Sequence, residues 1–77
     1  MEIEILSFGK IAEFIKPQKL NLEGISDTDG FQQYLEKVYP QLQKMKYKLA
    51  LNKQLVQSNT ALDHQVTIAI MPPFSGG

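Results

Sequence analysis

The sequence contains no cysteine, no arginine, a single histidine and no excess of charge of either sign. Without cysteine there is no disulfide, no thiolate metal site and no thiol nucleophile. A domain of 77 residues without disulfides suits a reducing compartment, so the expected location is cytoplasmic. Eight basic residues against eight acidic ones leave no net field to draw in nucleic acid or an anionic membrane. The missing guanidinium removes the usual bidentate reader of base edges. No apolar run is long enough to span a bilayer. The acidic, alternating start Met1-Glu2-Ile3-Glu4 is unlike a signal peptide.

The chain also lacks a self-contained active site. His64 has one acidic neighbour, Asp63, and no second nitrogen or thiolate partner, so no metal centre is expected. Ser75 has no base at a useful spacing. The carboxylates are dispersed, glycine-rich phosphate loops are absent, and no bound cofactor is expected.

What is present reads as one domain over residues 1–77, with 72–77 as an extended C-terminal tail. Residues 2–8 alternate as a strand, with Ile3 and Ile5 on one face and Glu2, Glu4, Leu6 and Phe8 on the other. Ile11, Phe14 and Ile15 mark a short amphipathic helix over 10–15, which Pro17 stops. Leu20 and Leu22 alternate in a second strand from Gln18 to Glu23. Ser26-Asp27-Thr28-Asp29 is a helix start. The main helix follows over roughly 28–39, placing Phe31, Leu35 and Val38 on its core side, and Pro40 ends it. Alternation resumes from Tyr47 to Asn52, Asn52-Lys53 suits a tight turn, and Gln54-Leu55-Val56 is a short strand. Val66 to Met71 is the last strand, with Val66, Ile68 and Ile70 on one face. The order β-(α)-β-α-β-β-β, with one long helix for one apolar sheet face, predicts an α+β roll with a mixed sheet.

The ending Met71-Pro72-Pro73-Phe74-Ser75-Gly76-Gly77 is the most informative stretch. Pro72 and Pro73 donate no backbone N–H and cannot continue a ladder. Together they favour an extended path that projects the chain outward. Gly76 and Gly77 carry no Cβ, so the terminal carboxylate sits on a thin tip that a partner can enclose. If Ile3, Ile5, Leu49, Leu51, Ile68 and Ile70 face the helix, then Phe8, Ala50 and Met71 face outward with Leu55 or Val56 nearby. A contiguous patch of that kind marks a docking surface. Lys37, Lys44, Lys46, Lys48 and Lys53 form a segment without acids, read first as a solvated surface and otherwise as a steering feature for an acidic partner.

This ending, after the apolar strand Val66 to Ile70, resembles that of the small, sulfur-carrying subunits of molybdopterin synthase. The resemblance extends to Ser7-Phe8-Gly9-Lys10-Ile11-Ala12-Glu13-Phe14, similar to the family's first strand and short helix. It includes Leu51-Asn52-Lys53-Gln54-Leu55-Val56, similar to its central strand-turn-strand. The chain departs from the family at Ala12, usually arginine, and at Asp63-His64-Gln65, usually a turn of Asp-Gly-Asp type. The resemblance implies a ubiquitin-like β-grasp fold. It implies that an E1-like enzyme, using ATP and magnesium, adenylates the carboxylate of Gly77, that sulfur replaces the adenylate, and that the thiocarboxylate enters a large catalytic subunit. There the sulfur passes to a cyclic pyranopterin. Pro72, Pro73, Phe74, Ser75 and Gly76 would be the inserted tail, and Phe8, Leu55 and Met71 the docking residues. The rivals are a sulfur carrier of another pathway, such as the thiazole type, a ubiquitin-like protein modifier, and an interaction domain with an inert tail.

Overall fold

The computed structural model describes residues 2–63 and 65–73 of the chain. Strict alternation in Glu2–Ser7 makes strand β1, with Ile3, Ile5 and Ser7 turned inward. A 3-10 helix, Gly9–Glu13, follows and leads to β2, Gln18–Asn21. The helix is shorter and tighter than the amphipathic pattern predicts, because the chain must return at once to pair β2 antiparallel with β1. Ile11 and Ile15 are still fully buried. The side chain of Ser7 donates to the carbonyl of Ile15 at 2.5 Å and ties the two ends of this detour together.

Helix α1, Thr28–Val38, begins at Asp27, whose carboxylate accepts from the N–H of Gly30 at 2.8 Å. That bond satisfies one of the helix's orphan donors. A segment far along the chain, Asn59-Thr60, completes the cap. Asn59 Oδ1 accepts from the N–H of Asp29 at 2.9 Å, and Asn59 Nδ2 donates to Asp27 at 3.2 Å. The buried hydroxyl of Thr28 accepts from the N–H of Thr60 at 2.9 Å. Leu62, just beyond, is 4% exposed and closes the core below this clasp.

Phe31 and Leu35 are fully buried under α1, but Val38, expected beside them, is 47% exposed. The helix ends at Val38 and Tyr39 leaves it with φ −122° and ψ 81°. That turn swings the Tyr39 ring inward against Phe14, centroid to centroid 6.2 Å, and leaves Val38 on the rim. A second 3-10 helix, Pro40–Lys44, buries Leu42 and feeds β3, Lys48–Leu51. Strand β4 is only Gln54–Leu55, and β5 is Val66–Met71.

The strands form one sheet in the order β2-β1-β5-β3-β4. The central pair β1·β5 is parallel and the other pairs are antiparallel. The core lies between α1 and the inner face, where Ile3, Ile5, Ile68 and Ile70 are all fully buried. A mixed sheet grasping a single helix is the β-grasp arrangement. No helix among the described residues is long and apolar enough to cross a membrane.

Candidate docking face and tail exit

With the helix on one side only, every second residue of the sheet is left on the outer face. The strand register lays these residues out in rows. Leu55 stands opposite Ala50, Ala50 opposite Ala69, and Ala69 opposite Leu6. In the next row toward the tail, Met71 faces Lys48, and Phe8 follows the end of β1. In the row on the other side, Glu4 lies between Lys19 and Thr67. The outer face thus passes from charged to apolar as it approaches the tail.

The face is concave. A groove of about 570 Å³ runs along it, from Glu4, Asn52, Lys53 and Thr67 at one end to Leu6, Phe8, Ala50, Ala69 and Met71 toward the tail. The two alanines give it a low floor, since neither side chain extends beyond a methyl group. Phe8 is 50% exposed and Leu55 46% exposed. Ala50 faces outward as expected yet is only 8% exposed, because a methyl group between larger neighbours is shaded by them. The predicted docking residues Phe8, Leu55 and Met71 therefore share one face, with Met71 half-buried.

At the charged end, Glu4 accepts from Thr67 Oγ1 at 3.2 Å and Glu2 accepts from Gln65 Nε2 at 3.1 Å. Lys53 borders the groove there, whereas Lys48 stands opposite Met71 in the row nearest the tail. Lys37, Lys44, Lys46, Lys48 and Lys53 are all exposed. Among the described residues, no group of three or more histidines, cysteines, aspartates or glutamates is placed to hold a metal ion.

The turn between β3 and β4 has an unusual backbone. Asn52 and Lys53 have φ of 48° and 74°, the left-handed pair that a two-residue hairpin requires. Asn52 tolerates this; Lys53 stands where glycine is preferred. Asn52 also binds β5 twice: its side chain accepts from the N–H of Thr67 at 2.9 Å, and its own N–H donates to the Thr67 carbonyl at 2.8 Å. The dipeptide signals the turn in sequence, but this tie to a distant strand has no local signature.

On the helix side, the hydroxyl of Tyr47 donates to the Glu36 carboxylate. Burial pushes its pKa up, and the hydrogen bond to Glu36 pushes it further. The bond joins the end of α1 to the start of β3 and lies away from the groove.

Strand β5 ends at Met71, as its two following prolines demand. Pro72 comes out beside Gly9, close enough that residue 9 has no room for a β-carbon. A contact between segments so far apart in the chain has no local sequence pattern. Phe74, Ser75, Gly76 and Gly77 lie outside the described residues, as does His64.

The ThiS family model matches residues 5–77. Among solved structures, the chain is similar to SAMP1 from Haloferax volcanii, with a TM-score of 0.75, 18% identity and 100% of both chains covered. That likeness is one of fold. It is also similar to a chain in the complex of subunits 1 and 2 of molybdopterin-converting factor from Helicobacter pylori. There the TM-score is 0.72 and the identity 25%, again over 100% of both chains. The architecture shared with them is the ubiquitin-like β-grasp.

Proposed function

The chain belongs to the ThiS family, and from that premise we propose that this small ubiquitin-like sulfur carrier is the sulfur-donating subunit of a molybdopterin synthase. The observation that carries the reading is the position of the tail exit. The strand at the centre of the sheet leads directly into Pro72-Pro73, at the apolar end of the open face, beside Phe8. A partner seated on Phe8, Leu55 and Met71 would receive the tail in the same encounter.

The chemistry follows from the residues. A carboxylate is a poor electrophile, so the Gly77 carboxylate first attacks the α-phosphorus of ATP in an E1-like enzyme, with magnesium, and releases pyrophosphate. Hydrosulfide-level sulfur then displaces AMP from the acyl-adenylate, a C–S bond replacing the bond to the phosphate oxygen, and leaves a thiocarboxylate. In the large catalytic subunit that sulfur would pass to a cyclic pyranopterin, with water restoring the Gly77 carboxylate. The chain is not an enzyme alone. It supplies a main-chain carboxyl, and its partners supply the active sites. Pro72 and Pro73 lower the entropy lost when the tail is inserted. Phe74 would anchor it, and Ser75, Gly76 and Gly77 would form the narrow tip. Two features support a large-subunit partner: the two-subunit assembly of the Helicobacter pylori relative and the Pro-Pro-Phe-Ser-Gly-Gly ending. The cytoplasm, where ATP and reduced sulfur are at hand, is the proposed location.

Intact-mass analysis of protein from a competent cell tests the reading. A fraction of the chain is expected with one oxygen exchanged for sulfur, and deletion of Gly77 is expected to abolish sulfur transfer while the fold survives. A Gly77-deleted chain that still supports transfer would refute it. The family name also admits a sulfur carrier for another acceptor, and reconstitution with each candidate acceptor separates the two. Isopeptide-linked species on a denaturing gel would favour a protein modifier instead.

A further inference from the structure

Gly9 stands where the chain leaves β1, with a left-handed φ of 62°. The ring of Pro72 fills the space that a side chain there would need. A β-carbon on residue 9 would lie 2.8 Å from Pro72 Cγ and 3.3 Å from Pro72 Cδ. The ring cannot swing away as a flexible side chain would, because it is closed onto its own backbone nitrogen.

The corner around this contact is braced on both sides. Phe8 N–H donates to the carbonyl of Ile70 at 3.1 Å. Ser7 stands opposite Ile70 in the β1·β5 ladder, and its hydroxyl holds the carbonyl of Ile15. Pro72 is the first residue beyond β5, so whatever seats its ring sets the direction in which the chain leaves the sheet. Five residues follow it. The direction set at Pro72 is therefore the one in which those residues start away from the sheet.

We infer that Gly9 is a positioning residue for the C-terminal tail, a seat for Pro72 that aims the reactive carboxyl while the adjacent Phe8 holds the partner. The inference rests on the proposed reading of the tail as the group that carries sulfur. It divides two tasks between neighbouring residues. Phe8 contributes affinity through its exposed ring. Gly9 contributes geometry by having no side chain. In a closed site, misplacing a reacting atom by an ångström costs rate more than binding.

The test uses the full chain, the adenylating enzyme with ATP, and the large subunit. Gly9→Ala is expected to slow single-turnover sulfur transfer about tenfold or more, while the affinity for the large subunit changes less than about twofold. Gly9→Ala also meets an unfavourable φ, so a purely structural effect must be separated. Pro72→Ala removes the ring but leaves that φ as it was. In the Gly9→Ala background the second change should restore part of the lost rate, and on its own it should lower the rate. Additive effects, or wild-type transfer by Gly9→Ala, overturn the inference. If Gly9→Ala does not fold, nuclear Overhauser contacts between the Gly9 α protons and the Pro72 γ protons in the unaltered chain decide it, and their absence overturns it. The Gly77 deletion keeps the two ideas apart: loss of transfer there with no effect at Gly9 removes only the seat, whereas transfer without Gly77 removes the underlying reading.

Discussion

The two faces of the sheet are made by the same strands, residue by residue in alternation, and they are treated in opposite ways. On the inner face Ile3, Ile5, Ile68 and Ile70 are fully buried beneath α1. On the outer face Phe8, at an open groove, is 50% exposed, and Leu55 is 46% exposed. The difference teaches where the apolar residues contribute. Burial stabilises the fold only where something covers the surface, and the one helix covers one side. The apolar end of the outer face adds little to folding, so its hydrophobicity is available to a partner.

One truncation on each face tests this difference most directly. Ile68→Ala, at the centre of the inner face, is expected to lower unfolding free energy by about 2–5 kcal/mol in a urea titration. Leu55→Ala should stay within about 0.5 kcal/mol in the same titration, yet weaken large-subunit binding by more than about 1 kcal/mol in a calorimetric titration. Equal stability costs at the two sites would erase the distinction. A smaller effect is expected at the inner-face helix start. Asp27→Ala removes the cap on Gly30 and the contact with Asn59, costing about 1 kcal/mol by thermal unfolding.

The Tyr47 bond to Glu36 makes the helix side sensitive to alkaline pH. The folded state holds the Tyr47 proton more tightly than the unfolded chain, whose tyrosine titrates at the ordinary 10.0. Its contribution is therefore fully present below that pH and is lost as pH rises above it. Tyr47→Phe should cost about 1 kcal/mol at neutral pH and flatten the alkaline decline in unfolding midpoints. The smallest expected effect lies beside the groove. Lys53→Gly relieves a left-handed lysine worth about 1 kcal/mol. The extra freedom of glycine in the unfolded chain partly offsets this. A net gain of about 0.5 kcal/mol is expected in denaturant midpoints.

Much of this was legible in the residues. Period-two alternation located β1, β3 and β5 to within a residue or so at each end, and the breaks at Pro17, Pro40 and Pro72 were readable because proline acts on its own backbone. The outward placement of Phe8, Ala50 and Met71 followed from the same alternation, which left Leu55 and Val56 as alternatives; in the fold Leu55 is the exposed one and Val56 packs against the core. Val38 was the clear departure. Its spacing from Phe31 and Leu35 is right for the core, but the helix ends there and Tyr39 takes the inner position.

From the residues alone one could read which positions alternate and where the chain must turn. Those are properties of a few adjacent residues and need no distant partner. It took the folded chain to show that Asn59 and Thr60 close the helix start, that Asn52 ties a hairpin to β5, and that Gly9 makes room for Pro72. Each of these joins segments far apart in the chain, and such contacts exist only once the sheet has brought its strands into register.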